Sequence, residues 1–175
     1  QQNRQLEPPA SLIFLHGLGD TLAGWSSLQN TLPSLRPSLP PGISSNSSSK
    51  RDNLKFEYVF PTAPTIGITI NGGMKMPAHF DLYDWPISRK ARDDREGILH
   101  AVARVEKEVE KLQELGIPKS RNVVAGFSQG GAIALQTVYR SSERFCACVA
   151  LSGWLTLRED LVLSEEAKKI PLFWG

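Results

Sequence analysis

The hydrophobic pattern of this chain alternates between two periods. From Ser11 to Leu15 it is almost continuously apolar, as a strand covered on both faces should be. Leu54 to Phe60 alternates well enough for a second strand. Ile98, Val102, Val105, Val109 and Leu112 then recur at helical spacing, with charged residues between them. Asp93 and Asp94 can cap that helix, and Gly116 with Pro118 closes it. Two more apolar strands follow, Arg121–Ala125 and Phe145–Leu151, with a helix over about Gly131–Tyr139 between them. A further strand begins at Ile170. Strands alternating with helices predict an α/β domain with a mostly parallel sheet and helices on both faces.

The remaining segments are irregular. A short helix is expected from Gly24 to about Leu32, ended by the prolines that start at Pro33. Residues 38–53 include six serines and read as a polar surface insertion in a single domain, 1–175. Asn71-Gly72-Gly73 is a turn signal. The stretch from Met74 to Trp85 is rich in methionine and aromatic residues, which suit either core packing or an apolar wall beside a ligand.

Composition narrows the class. The chain has 175 residues, 41% hydrophobic and 22% charged, which fits one globular domain or most of one. A net charge of +2 makes no electrostatic case for nucleic acid or an anionic membrane. No apolar run approaches the roughly 18 residues of a membrane span, and the polar start, Gln1 to Pro9, shows no signal peptide. Cys146 and Cys148 share a face of one strand, so they are expected as two buried free thiols. His16, His79 and His100 have no metal-ligand spacing.

The chemistry concentrates at Gly126-Phe127-Ser128-Gln129-Gly130, between a strand and a helix. Strand, G-x-S-x-G, helix is the nucleophile elbow of α/β-hydrolases. Its glycines permit a sharp turn that lifts the serine hydroxyl out of the sheet, at the positive end of the next helix. Upstream, His16-Gly17-Leu18-Gly19-Asp20 ends the first strand in a glycine-rich loop. In this architecture such a loop supplies one backbone N–H of the oxyanion hole and the residue after the nucleophile supplies the other, which assigns Leu18 and Gln129. His16 precedes the serine, whereas the catalytic base of this fold follows it, so His16 is expected to brace the loop. Met74, Met76, Phe80 and Trp154 are candidates for an apolar wall beside the serine.

A serine needs a base, and in this fold the order is Ser, Asp or Glu, then His. No histidine follows Ser128, and Glu143, Glu159, Asp160, Glu165 and Glu166 all fall in surface-like segments. The triad acid and base are therefore absent from this chain. The expectation is truncation by about two βα units, on the order of 50 residues, removing the last strand or strands and a helix.

Several stretches together carry a family resemblance. They are Leu15-His16-Gly17-Leu18-Gly19-Asp20 with Trp25, Phe60-Pro61-Thr62-Ala63-Pro64, Asn71-Gly72-Gly73-Met74 with Met76-Pro77, Gly126 to Ala132, Ala150 to Leu155, and Pro171 to Gly175. In this order they resemble the acyl-protein thioesterase/lysophospholipase family, small carboxylesterases of the α/β-hydrolase fold. The resemblance implies a cytoplasmic, cofactor-free serine hydrolase acting on long-chain acyl thioesters or esters, with acylated proteins or lysophospholipids as substrates. It matches Ser128 to the nucleophile and Leu18 and Gln129 to the oxyanion donors, and it places the triad aspartate and histidine beyond Gly175. Asp81 to Trp85 departs from the family's shorter aromatic-aspartate pattern. The rival expectation is a non-catalytic acyl- or partner-binding module that has lost its base. Oligomeric state is not legible.

Overall fold

The computed structural model describes residues 9–34, 56–88 and 90–175. The expected 38–53 insertion, the start of the chain and the beginning of the 54–60 strand lie outside the described residues. Five strands form one parallel sheet in the order β2-β1-β5-β6-β7: β1 (Ala10–Leu15), β2 (Phe56–Val59), β5 (Asn122–Phe127), β6 (Ala147–Leu151) and β7 (Leu172–Trp174). A separate antiparallel hairpin, β3 (Thr65–Ile68) with β4 (Met74–Pro77), turns through Gly72 and Gly73, both at positive φ. The Asn71-Gly72-Gly73 signal thus marks a hairpin, one that the irregular Met- and aromatic-rich pattern around it did not announce.

Every residue of β1 is buried, because both faces are covered. Ile13 and Leu15 face a core built with Ile98, Val105 and Val109 of α2 (Arg95–Glu114) and Ile133, Leu135 and Val138 of α3 (Gln129–Arg140). Leu12 and Phe14 face the other side, where Trp25, Leu28 and Leu32 cover them. This two-sided burial is the physical reason β1 reads as a continuous apolar run. Ser11 tolerates the same environment by donating to Asn122 Oδ1 on β5 at 2.8 Å.

Asp94 caps α2, its carboxylate accepting from Gly97 N at 3.0 Å. The helix expected between Gly24 and Leu32 is instead broken into three pieces: a 3-10 turn at Leu22–Gly24, α1 (Leu28–Thr31) and a second 3-10 turn at Leu32–Ser34. Thr21 caps the first of these, accepting from Ala23 N at 3.3 Å. The expectation of two buried thiols is corrected. Cys148 is buried on β6, and burial pushes its thiol up to about 12. Cys146, one residue before β6, is exposed although Phe145 beside it is fully buried, so the inward alternation that buries Cys148 does not extend back past the start of the strand. β7 is the outer described strand on its side, with Leu172, Phe173 and Trp174 all exposed. Among the described residues no helix is long and apolar enough to cross a membrane.

Chain direction in the sheet determines where a ligand can sit. From β1 the chain steps to β2 on one side, whereas β5, β6 and β7 are laid down successively on the other. The switch falls between β1 and β5, so the loops leaving their C-terminal ends diverge there and leave a crevice, the usual ligand position in an open α/β sheet. Those two loops carry His16–Asp20 and Ser128.

Candidate active site

Ser128 joins β5 to α3 at φ 53° and ψ −117°, a conformation a non-glycine residue adopts only under constraint. The constraint is visible on both sides. A Cβ on Gly126 would lie 2.3 Å from the Gly130 carbonyl, and one on Gly130 would lie 2.1 Å from the Leu15 carbonyl oxygen. The start of α3 is therefore pressed directly against the end of β1. Ser128 N–H donates to Leu151 O at 2.8 Å, which anchors the turn to β6. With ten consecutive buried residues, Gln129 to Val138, α3 has no freedom to relieve the turn. Its N-terminus lies at the serine, where negative charge is favoured.

The loop after β1 is held just as firmly. Ala63 N–H donates to His16 Nε2 at 2.9 Å, and His16 Nδ1 lies 2.7 Å from Gly17 O. An amide can only donate and a carbonyl can only accept, so the His16 proton sits on Nδ1 and the Nε2 lone pair is engaged. Gly19, at φ 77°, donates to Pro77 O at 2.8 Å. Asp20 accepts from Thr21 N at 2.7 Å and from Trp25 Nε1 at 2.8 Å. His16 thus braces the loop, as its position before the serine suggested.

Gln129 has a role that the sequence did not reveal. Its side chain is buried, and it bridges the elbow to the segment after β4: Oε1 accepts from His79 N at 2.8 Å and Nε2 donates to Phe80 O at 2.7 Å. His79 in turn donates from Nε2 to His16 O at 3.2 Å, and its ring lies 4.9 Å from that of His16. One buried network therefore ties the Leu18 loop to the Gln129 end of α3. No pattern in the sequence signals it, because the bonds that link its segments join residues 47 to 63 positions apart.

His79 carries an acid-sensitive consequence. Burial, then the neighbouring His16 and Arg104, lower its pKa from 6.5 to about 3. Above pH 6.5 the ring is uncharged folded or unfolded, and its contribution is fully present. Below that, the unfolded chain takes up a proton that the folded chain refuses, so stability falls by about 1.4 kcal/mol per pH unit from this group. Between pH 7 and pH 5 the expected loss is about 2 kcal/mol, read as a drop in urea-unfolding free energy. His79→Gln is expected to remove that increment, and an unchanged pH dependence in the variant would contradict the assignment.

Ser128, Leu18 and Gln129 line one cavity of about 490 Å³, completed mainly by Ile70, Asn71, Leu82, Trp85 and Trp154. Its size is that of a small-molecule site. The other wall candidates fall elsewhere. Met74 stands exposed on the hairpin, Met76 packs against the Ile68 cluster, and Phe80 is buried beneath Trp154, ring edge to face at 5.9 Å. Leu82 and Trp85, within the Met- and aromatic-rich stretch, form the wall instead. Among the described residues no imidazole is free to serve Ser128: both nitrogens of His16 are engaged, His79 is buried in the network, and His100 is exposed on α2.

Comparison with known proteins bears on the family and the fold. The Phospholipase/Carboxylesterase family profile matches residues 40–175. Acyl-protein thioesterase 1 of Cryptococcus neoformans is 36% identical over 169 residues, covering 95% of this chain and 64% of the relative. Acyl-protein thioesterase 1 of Schizosaccharomyces pombe is 33% identical over 172 residues, covering 97% and 68%. The chain thus spans about two thirds of these relatives' length. Among solved structures, Arabidopsis thaliana SOBER1 superposes with a TM-score of 0.78 at 27% identity, covering 95% of this chain and 72% of that one. Zea mays acyl-protein thioesterase 2 gives 0.70 at 31%, covering 94% and 69%. A profile matching most of the chain, relatives above 30% identity and a shared α/β-hydrolase fold converge on one conclusion: the chain belongs to the phospholipase/carboxylesterase family, and within it to the acyl-protein thioesterase-like members.

Proposed function

We propose that this chain carries the nucleophile and oxyanion hole of a serine hydrolase that cleaves long-chain acyl thioesters or esters. The observation that carries the reading is Ser128, held at positive φ at the N-terminus of α3 and opening into a largely apolar cavity with Leu18 and Gln129. Acylated cysteines on proteins and lysophospholipids are the proposed substrates. The relatives' name, acyl-protein thioesterase, supports the first.

The proposed chemistry has two steps. Ser128 Oγ attacks the acyl carbonyl while an imidazole takes its proton. The backbone N–H groups of Leu18 and Gln129 hold the oxyanion, preorganised by the network around His16, His79 and the Gln129 side chain. The thiol or alcohol leaves with the proton, and water then hydrolyses the acyl-serine by the same route in reverse. The imidazole and its orienting carboxylate are not found among the described residues, so residues 1–175 alone are proposed to be nearly inactive.

The test compares residues 1–175 with the protein translated from any reading frame continuing past the Gly175 codon. The longer protein is expected to hydrolyse a palmitoyl thioester peptide in preference to an acetyl ester. Residues 1–175 are expected to be slower by a factor of about 10⁴ or more. Robust turnover by 1–175 would sink the missing-base argument. Acyl binding without turnover in both proteins would replace hydrolysis with the binding-module reading.

A further inference from the structure

A second cavity, of about 180 Å³, lies beyond the His79 network and shares no lining residue with the Ser128 cavity. Leu15, Ala63, Ala101 and Val105 give it apolar walls, and Arg104 and Lys107 of α2 supply positive charge. Arg104 is half-buried and, among the described residues, makes one hydrogen bond, from Nη2 to His79 O at 3.0 Å. A guanidinium carries five N–H donors, so most of its capacity is unused. Among the described residues no carboxylate pairs with Arg104 or with Lys107. The carboxylate that also lines the cavity, Glu108, is taken by Lys111 at 2.8 Å. Burial alone pushes the Arg104 pKa below its usual value, a cost that a bound anion would offset.

We infer that this cavity binds a small amphiphilic carboxylate, its head on Arg104 and Lys107 and its tail against Leu15, Ala101 and Val105. The fork of a guanidinium matches a carboxylate in geometry, and apolar walls favour an organic anion over a bare one. A cavity of about 150 Å³ holds a benzene ring, so this one accepts roughly the tail of hexanoate. The inference does not rest on the hydrolase reading. The backbone of His79 nevertheless touches both sites: its carbonyl accepts from Arg104 and its amide donates to Gln129 Oε1. Occupancy should therefore register at the Gln129 amide.

The test is a titration of the ¹⁵N-labelled chain, followed by amide shifts, with hexanoate, hexanol and inorganic phosphate as probes. Hexanoate is expected to move Ala63, Ala101 and His79 first, with hexanol and phosphate at least about tenfold weaker, since a hydrogen bond to a charged group is worth about that much. Arg104→Met is expected to weaken hexanoate by about ten- to a hundredfold, and Ser128→Ala to leave it within about twofold. If Arg104→Met does not fold, Lys107→Gln at the exposed rim should still weaken hexanoate by a few-fold, about the effect of a surface ion pair. Shifts confined to the surroundings of Ser128 and Trp154 would overturn the inference. So would equal binding of hexanol or phosphate, or hexanoate affinity unchanged in both charge variants.

Discussion

Replacing Ser128 by alanine, in any form of the protein that hydrolyses a palmitoyl thioester, is expected to lower kcat/KM toward it by a factor of about 10⁴ to 10⁶. The argument is geometric. Ser128 is the hydroxyl side chain at the elbow, and its backbone is forced to φ 53° by Gly126 and Gly130 on either side. An alanine there keeps the turn, the α3 N-terminus and the two proposed oxyanion donors, so the variant should fold and still bind acyl groups. What disappears is the covalent step. Residual hydrolysis then depends on binding and the oxyanion hole alone, typically a factor of about 10³ to 10⁴ over water. The decisive readout is a pair of measurements: loss of turnover, with a melting temperature within a few degrees of the parent. Turnover reduced less than about tenfold would mean that another residue supplies the nucleophile.

The second large effect is on folding. Gly130→Ala puts a methyl carbon 2.1 Å from the Leu15 carbonyl oxygen and 2.6 Å from that of His16, both backbone atoms of a buried strand end. Neither can move aside as a flexible side chain could, so α3 must back away from β1. Overpacking of this kind costs about 3 kcal/mol or more, a large part of the 5–15 kcal/mol that holds a typical domain together. The expected drop in melting temperature is about 10 °C for a chain of this size. Gly72→Ala is the control. That glycine is at φ 64° with nothing within 4 Å of an added Cβ, so only the conformational cost of about 1–2 kcal/mol applies. Gly130→Ala melting no lower than Gly72→Ala would show that the elbow is looser than its geometry implies.

Both predictions concern features that could be read in one dimension. The strand, turn and helix at Ser128, the apolar run of β1 and the helical spacing of α2 are local patterns, and each reflects a local rule. A strand covered on both faces must be apolar throughout, an amphipathic helix must repeat near 3.6, and a strained turn must place glycine where a Cβ would collide. The bracing role of His16 was legible from chain order alone.

Other features required the chain to be folded. Two buried cysteines were expected, but Cys146 precedes the start of β6 at Ala147 and is exposed between a buried Phe145 and the strand, so the strand alternation that buries Cys148 does not reach it. The cavity wall was sought among Met74, Met76 and Phe80. It is Ile70, Asn71, Leu82 and Trp85 that join Trp154 at the serine. Hydrophobicity does not separate Ile70, Leu82 and Trp85 from Met74, Met76 and Phe80, and only the β3–β4 hairpin and the path after it decide which ones turn toward the crevice.

The sequence by itself determined the alternation of strands and helices, the strand–turn–helix at Ser128 and the glycine-rich loop after β1, because those depend on neighbours along the chain. Only the tertiary structure decided that β1 and β5 lie side by side at the switch in strand order, so that Leu18 and Ser128, 110 positions apart, share a cavity. It likewise decided that Gln129, His79, His16 and Arg104 form one buried network. Hydrogen bonds between distant segments leave no periodicity in a sequence, since each polar residue is buried only where its partner happens to be.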